Sequence, residues 1–280
     1  MTDLLFKEHA RLGGYREYAA PDDLRGVAVA LWSYSRAFDA PPVPGRGHRL
    51  LPDTDLSLAL ERRTDARGVV VDARVVLIGP IETPKFFAPD RGFHLDAIRL
   101  HPEWCRDLLG TDPREIADGV FAFAHGAARA TPARFESLLR ATSPLQALVG
   151  IVRELRSGGR VSREAILANA ALTSLRRVPS STLGLDRIAR ALAVSEVHLR
   201  RVVRGSAGFS PKQIQRIRRV DRAIATAERQ THPDWARIAG ENGFYDQPHM
   251  IQEFQSIAGC APAQLFRERR LQDVIEISNP

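Results

Sequence analysis

R-I-A-R-A-L-A-V-S-E-V-H-L-R-R-V-V runs from Arg187 to Val203, and R-I-A-G-E-N-G-F-Y-D-Q-P-H-M-I-Q-E-F from Arg237 to Phe254. The two stretches share one physical plan. In the first, Leu185, Ile188, Ala189 and Leu192 fall at i, i+3, i+4 and i+7, one apolar helix face. Ser195 then stands as an N-cap, with Val194 before it and Leu199 four helical positions on as a hydrophobic staple. Leu199, Val202 and Val203 form an apolar stripe, Arg200, Arg201 and Arg204 lie largely off it, and Gly208 is placed to stop the helix.

The second stretch repeats the plan. Ile238 and Ala239 match Ile188 and Ala189, and Asp246 takes the N-cap place of Ser195. Tyr245 and Met250 take the staple places, and His249, Phe254, Gly259 and Pro262 match His198, Val203, Gly208 and Pro211. The offset is 50 before the turn and 51 from the N-cap onward, so the second turn is one residue longer, around Gly243-Phe244-Tyr245. Pro248 falls in the first turn of its helix, where a missing N–H breaks no intrahelical bond. One such pair of helices is a weak signal; two copies with matched caps and stop glycines are a strong one.

Between the copies runs Ser210–Gln230, with Ser210 and Gln213 spaced for a capping box and Pro211 at the first helical position. A helix of this length spans roughly 30 Å. Successive major-groove faces on one side of DNA recur about every 34–36 Å. One helix can therefore hold two recognition helices about one DNA turn apart.

Charge agrees with this reading. The chain of 280 residues has a formal net charge of +7, and residues 181–270 carry fifteen Lys and Arg against nine Asp and Glu. Nearly all of the excess sits in the repeat, as phosphate contact requires. The remaining composition, 44% hydrophobic and 26% charged, is that of a soluble globular protein of about two domains. Two distant cysteines, Cys105 and Cys260, fit a reducing cytoplasm and no disulfide scaffold. The N-terminus has no signal-peptide pattern and no run is apolar enough to span a membrane, so a cytoplasmic protein is expected.

The first third reads as strands: Val27–Tyr34, His48–Leu60, Val69–Pro80 and Phe93–Leu100, separated by Gly/Pro turns. They predict a small barrel or sandwich. Pro102–Gly110 reads as a short helix, Phe135–Arg156 as helical with a break at Ser143-Pro144, and Ser162–Arg177 as a further helix. The fold class expected is α+β: a small β-barrel with helices, then an all-α domain of two helix–turn–helix subdomains joined by a long helix. The boundaries expected are 1–101 for the β-rich domain, 102–178 for a helical extension, 179–184 for a linker and 185–272 for the repeat. Within the repeat, the first helix–turn–helix covers 185–208, the linking helix 210–230 and the second helix–turn–helix 234–259.

The repeat, with G-F-S-P after its first copy and G-C-A-P-A-Q-L-F-R after its second, resembles the C-terminal module of the AraC/XylS family of bacterial transcription regulators. The resemblance implies sequence-specific binding to double-stranded DNA through two recognition helices in adjacent major-groove segments. It puts Val197, Arg200 and Arg201 of the first helix on base edges, with Gln247, Pro248, His249 and Gln252 of the second, and Ile251 beside them. Arginine can take guanine and glutamine adenine bidentately. Ser195, Arg204, Lys212 and Arg216 become the phosphate contacts. The chain departs from the family where Val203 replaces a frequent aromatic, Pro248 a frequent Ser or Thr, and Cys260 a frequent aliphatic. Pro248 removes an N–H and a polar side chain from the groove-facing end of its helix.

Further upstream, Y-R-E-Y, W-S-Y, H-R-L-L-P-D-T-D-L-S-L and L-L-G-T-D-P-R-E-I-A-D resemble the cupin-like sensor half of one group of that family. That implies a domain for an undefined small-molecule effector, for homodimerisation, or both, and no cofactor. The competing reading is a metal-dependent cupin-like enzyme with an accessory helical part. His48, His94 and His101 are its ligand candidates, but they form no H-x-H with a trailing carboxylate, and no metal is expected. His198 and His249 are on separate helices. Asp53/Asp55 and Asp107/Asp112/Glu115 fall at turns and a helix end, where structural roles are expected, and Cys260 reads as a core thiol.

Overall fold

The structure is a computed structural model and describes residues 8–12, 14–40, 47–123, 132–158, 161–177 and 184–277. It divides into two compact units: Met1–Leu50, Asp55–Pro80 and Phe86–Ser162 in the first, and Leu51–Thr54, Ile81–Lys85 and Arg163–Pro280 in the second. Among the described residues no helix is long and apolar enough to cross a membrane.

The first unit is built on strands β1 (Glu8–Leu12), β2 (Tyr15–Ala19), β3 (Ala28–Arg36), β4 (His48–Leu50), β5 (Leu56–Thr64), β6 (Val70–Ile78), β7 (Lys85–Phe87), β8 (Phe93–Leu100) and β9 (Val120–Ala122). Seven form one sheet in the order β1-β2-β3-β8-β5-β6-β9, and β4 and β7 form a two-stranded sheet. All six neighbouring pairs in the larger sheet are antiparallel. This sheet is what stands where a small barrel was expected. The single strand expected over His48–Leu60 is two, broken around Pro52, whose ring removes a ladder donor.

Strand alternation gives the sheet two faces. Leu56, Leu58, Leu60, Ile98 and Leu100 point into a core shared with Leu148, Val149 and Val152. Those three belong to helix α2 (Pro144–Gly158), which follows α1 (Pro132–Leu139). On the other face Glu17, Trp32, Ala97, Ala59 and Val76 stand in one row across five strands. Pro102–Gly110 is not one α-helix: Pro102–Trp104 is a 3-10 turn and Cys105–Leu109 a π-helical turn, closed by Gly110 at φ 67°. The wider winding brings Cys105 and Leu109, both fully buried, to the same side.

The second unit is helical: α3 (Arg163–Arg177), α4 (Leu185–Ala191), α5 (Glu196–Ala207), α6 (Pro211–Glu228), α7 (Trp235–Glu241), α8 (Gln247–Ala258) and α9 (Pro262–Ile277). Its core gathers Leu172 and Leu175 of α3 with Leu199 and Val203 of α5, Ile214, Ile217, Val220 and Ile224 of α6, and Met250 and Phe254 of α8. The long helix α6 is thus apolar along one side and is the element around which the others pack. The segment expected as a linker, 179–184, lies outside the described residues except for Gly184.

Candidate nucleic-acid interface

The two helix–turn–helix copies match bond for bond. Leu192 N–H donates to Ile188 O at 3.0 Å, and Asn242 N–H to Ile238 O at 3.1 Å. Val194 N–H donates to Ala189 O and Phe244 N–H to Ala239 O, both at 3.0 Å. Both turns pass through the left-handed region, at Ala193 (φ 53°) and Gly243 (φ 74°). The caps follow: Ser195 Oγ accepts from His198 N–H at 3.2 Å, and Asp246 Oδ1 from His249 N–H at 2.8 Å. Both second helices end on left-handed glycines, Gly208 and Gly259.

These bonds identify the extra residue of the second turn. Ala193 and Val194 correspond to Gly243 and Phe244, so the insertion is Tyr245. The staple expected of Tyr245 is therefore not there. Tyr245 is 92% exposed, whereas Phe244 is 5% exposed and packs its ring against Phe254 at 6.5 Å and His249 at 5.9 Å. Tyr245 N–H donates to His249 Nδ1 at 3.1 Å, so a neutral His249 carries its proton on Nε2.

The residues expected at base edges fall mostly on open surface. Val197 is 78% exposed, and Arg200, Arg201, Gln247, Pro248 and Gln252 are exposed, while His249 and Ile251 are half-buried. Arg200 Nε donates to Glu196 Oε1 at 3.0 Å, and Arg201 Nη2 lies 2.8 Å from His198 Nδ1. Such exposed contacts are weak enough to exchange for DNA. Of the residues expected on phosphates, Ser195 is the N-cap, and Arg204 and Lys212 are exposed.

Arg216 is differently placed. Its Nε donates to Glu253 Oε2 at 2.9 Å and its Nη2 to Ser256 Oγ at 2.9 Å, which ties α6 to α8. Between α5 and α8, over α6, lies a cleft of about 550 Å³. Lys212, Gln215, Arg216 and Arg219 line it from α6 at i, i+3, i+4 and i+7, Arg200 from α5, and His249 and Glu253 from α8. Gln215, Arg219, Glu253 and Ser256 were not singled out from the sequence. The helical spacing of the first two with Lys212 and Arg216 was the signal that held them.

The residues of the competing readings have structural partners. His94 Nε2 lies 3.2 Å from Thr64 Oγ1 and His48 Nε2 3.4 Å from Tyr34 Oη, while His101 Nδ1 is buried 3.9 Å from Asp55 Oδ1, beyond hydrogen-bond reach. Among the described residues no three His, Cys, Asp or Glu side chains gather as a metal site. Asp107 Oδ2 accepts Ser162 N–H at 2.7 Å, and Asp112 takes Arg106 and Arg114 at 2.6 Å each. Cys260 is buried in the helical core. Burial pushes the Cys105 thiol up to about 12, which leaves no thiolate at neutral pH.

A family model described as a helix–turn–helix domain matches residues 188–268. Among solved structures, the chain is similar to the C-terminal domain of AraT, a response regulator from Geobacillus stearothermophilus. The two share 26% identity over 38% of this chain and 88% of that one, with a TM-score of 0.34. It is also similar to an AraC-type DNA-binding transcriptional regulator from Chromobacterium violaceum, at 22% identity over 37% and 92%, with a TM-score of 0.35. Similarity to ToxT from Vibrio cholerae extends over 85% of this chain and 96% of that one, at 10% identity and a TM-score of 0.40. No curated protein matches the sequence.

Proposed function

We propose that this chain, a DNA-binding transcription regulator whose C-terminal third is an AraC/XylS-type helix–turn–helix module, places α5 and α8 in successive major-groove segments on one face of DNA. The observation that carries this is the pair of cap-matched helix–turn–helix units joined by one continuous helix of 18 residues. That helix is about 27 Å long. Val197, Arg200 and Arg201 read bases from α5; Gln247, Pro248, His249 and Gln252 read them from α8. Ser195, Arg204 and Lys212 meet phosphates. Arg216 was expected to do so too; its bonds to Glu253 and Ser256 support a positioning role instead, holding α8 against α6.

The first unit then senses a small molecule, dimerises, or does both. The second face of its sheet supports sensing. There Arg99 donates to Glu17 at 3.1 Å and to the Tyr15 hydroxyl at 3.2 Å, and Trp32 Nε1 donates to Ser57 Oγ at 3.2 Å. Burial pushes the Tyr15 phenol well above its ordinary value. A few convergent polar groups on an aromatic face are what recognition of a small ligand needs.

Selection of bound sites from random DNA, followed by anisotropy titration, tests the main reading. Arg201→Ala and Gln252→Ala should each weaken the selected site by about 1–3 kcal/mol and relax preference at their own base pairs. Equal binding of selected and scrambled DNA would refute sequence-specific recognition.

A further inference from the structure

We infer that the cleft between the two recognition helices is a phosphate seat in which Arg219 joins Lys212, so that α6 meets the DNA backbone along its length and not only at its first turn. The inference rests on the DNA-binding reading and goes beyond it by giving a role to the floor between the readers.

The first observation is charge. Four cationic side chains, Arg200, Lys212, Arg216 and Arg219, line the cleft against a single carboxylate, Glu253. That carboxylate is already neutralised by Arg216 at 2.9 Å. The carboxylate facing Arg200 on its own helix is Glu196. Lys212 is exposed, with no ion pair among the described residues. The second observation is a missing partner. Arg219 Nε is buried and has no hydrogen-bond acceptor, while its guanidinium lies 5.5 Å from the centre of the Phe244 ring. A buried donor without an acceptor costs free energy unless a ligand supplies one.

The third observation is placement. Lys212, Gln215 and Arg219 stand on one face of α6, about 10 Å from end to end along the axis. The cleft they floor is walled by α5 on one side and α8 on the other. A duplex held by both walls must carry its sugar-phosphate backbone across that floor, because the backbone separates one major-groove segment from the next. A phosphate oxygen is the counter-charge that Lys212 lacks, and it offers an acceptor to the Arg219 guanidinium that lines the same cleft. A free phosphate ion offers the same chemistry, and the test separates the two sources.

Affinity for a selected site and for scrambled DNA is measured across a salt series with wild type, Lys212→Ala and Arg219→Gln. Lys212 is exposed, so its variant folds even if Arg219→Gln does not. Each variant should weaken both DNAs by the same factor and reduce the slope of log affinity against log salt by about one. In parallel, orthophosphate replaces chloride at constant ionic strength and the melting temperature of each protein is read without DNA. An unchanged salt slope, with an orthophosphate stabilisation that Lys212→Ala abolishes, keeps the seat and assigns it to a free ion. An unchanged slope with no orthophosphate effect overturns the inference. Wild type that binds no DNA defeats the regulator reading, and the orthophosphate arm still decides the seat.

Discussion

Phe244 and Tyr245 show how one residue decides what a repeat means. Apolarity cannot choose between two adjacent aromatics, and a repeat aligned from its N-caps puts Tyr245 opposite Val194. The backbone chooses: Phe244 N–H meets Ala239 O as Val194 N–H meets Ala189 O. Phe244→Ala should therefore cost about 3–5 kcal/mol in urea denaturation, as emptied aromatic sites in cores do. Tyr245→Ala should stay within about 0.5 kcal/mol of wild type. Equal losses at the two positions would restore the staple to Tyr245. The N-caps, by contrast, were legible at single-residue precision, because Ser195, Ser210 and Asp246 follow a local rule that needs no tertiary context. Gly243 and Ala193 share the left-handed turn position. Ala193→Gly should be neutral or gain up to about 1 kcal/mol, since it relieves a strained φ but loosens the unfolded chain.

Among the elements, helices with strong periodicity and caps were the easiest to read, and α4 through α8 fall where the repeat places them. Strands β1, β2, β7 and β9 were missed, and for β2 and β9 the physical reason is plain. Val120–Ala122 is three residues long, too short for alternation to register, and Tyr15–Ala19 mixes aromatic with charged residues. The pairing of α6 with α8 was invisible because Arg216 and Glu253 are 37 residues apart. In the first unit, the turn after Gly110 is held by Asp112. Hydrogen bonds from the Arg114 side chain, aided by the Arg114 N–H and the Arg106 charge, bring its carboxyl down to about 2 from 3.8. A carboxyl with a depressed folded pKa stabilises fully above the unfolded value and loses that contribution as pH falls through the folded one. Asp112→Asn should thus lower the unfolding free energy at pH 7 by about 1 kcal/mol after solvent screening. The deficit should close as pH drops from about 4 to about 2. A deficit independent of pH would mean that the carboxyl charge contributes nothing.

For the whole molecule, the function class was readable from roughly a third of the chain. Helix α3 follows the N-terminal helices in sequence, yet Leu172 and Leu175 are buried in the core of α5 and α6. A fragment beginning at Arg163 should be more stable than one beginning at Gly184 by about 3–5 kcal/mol, the value of two buried leucines. Identical denaturation midpoints for the two fragments would remove α3 from the DNA-binding unit. The tie between Arg216, Glu253 and Ser256 has a consequence for the genome rather than the protein. A linker fastened at its far end cannot stretch or swivel, so it measures. One base pair inserted between the two half-sites turns the second away by about 34°, and the rigid caliper cannot follow. Operators of this regulator should therefore vary in sequence between promoters but hold one invariant internal spacing.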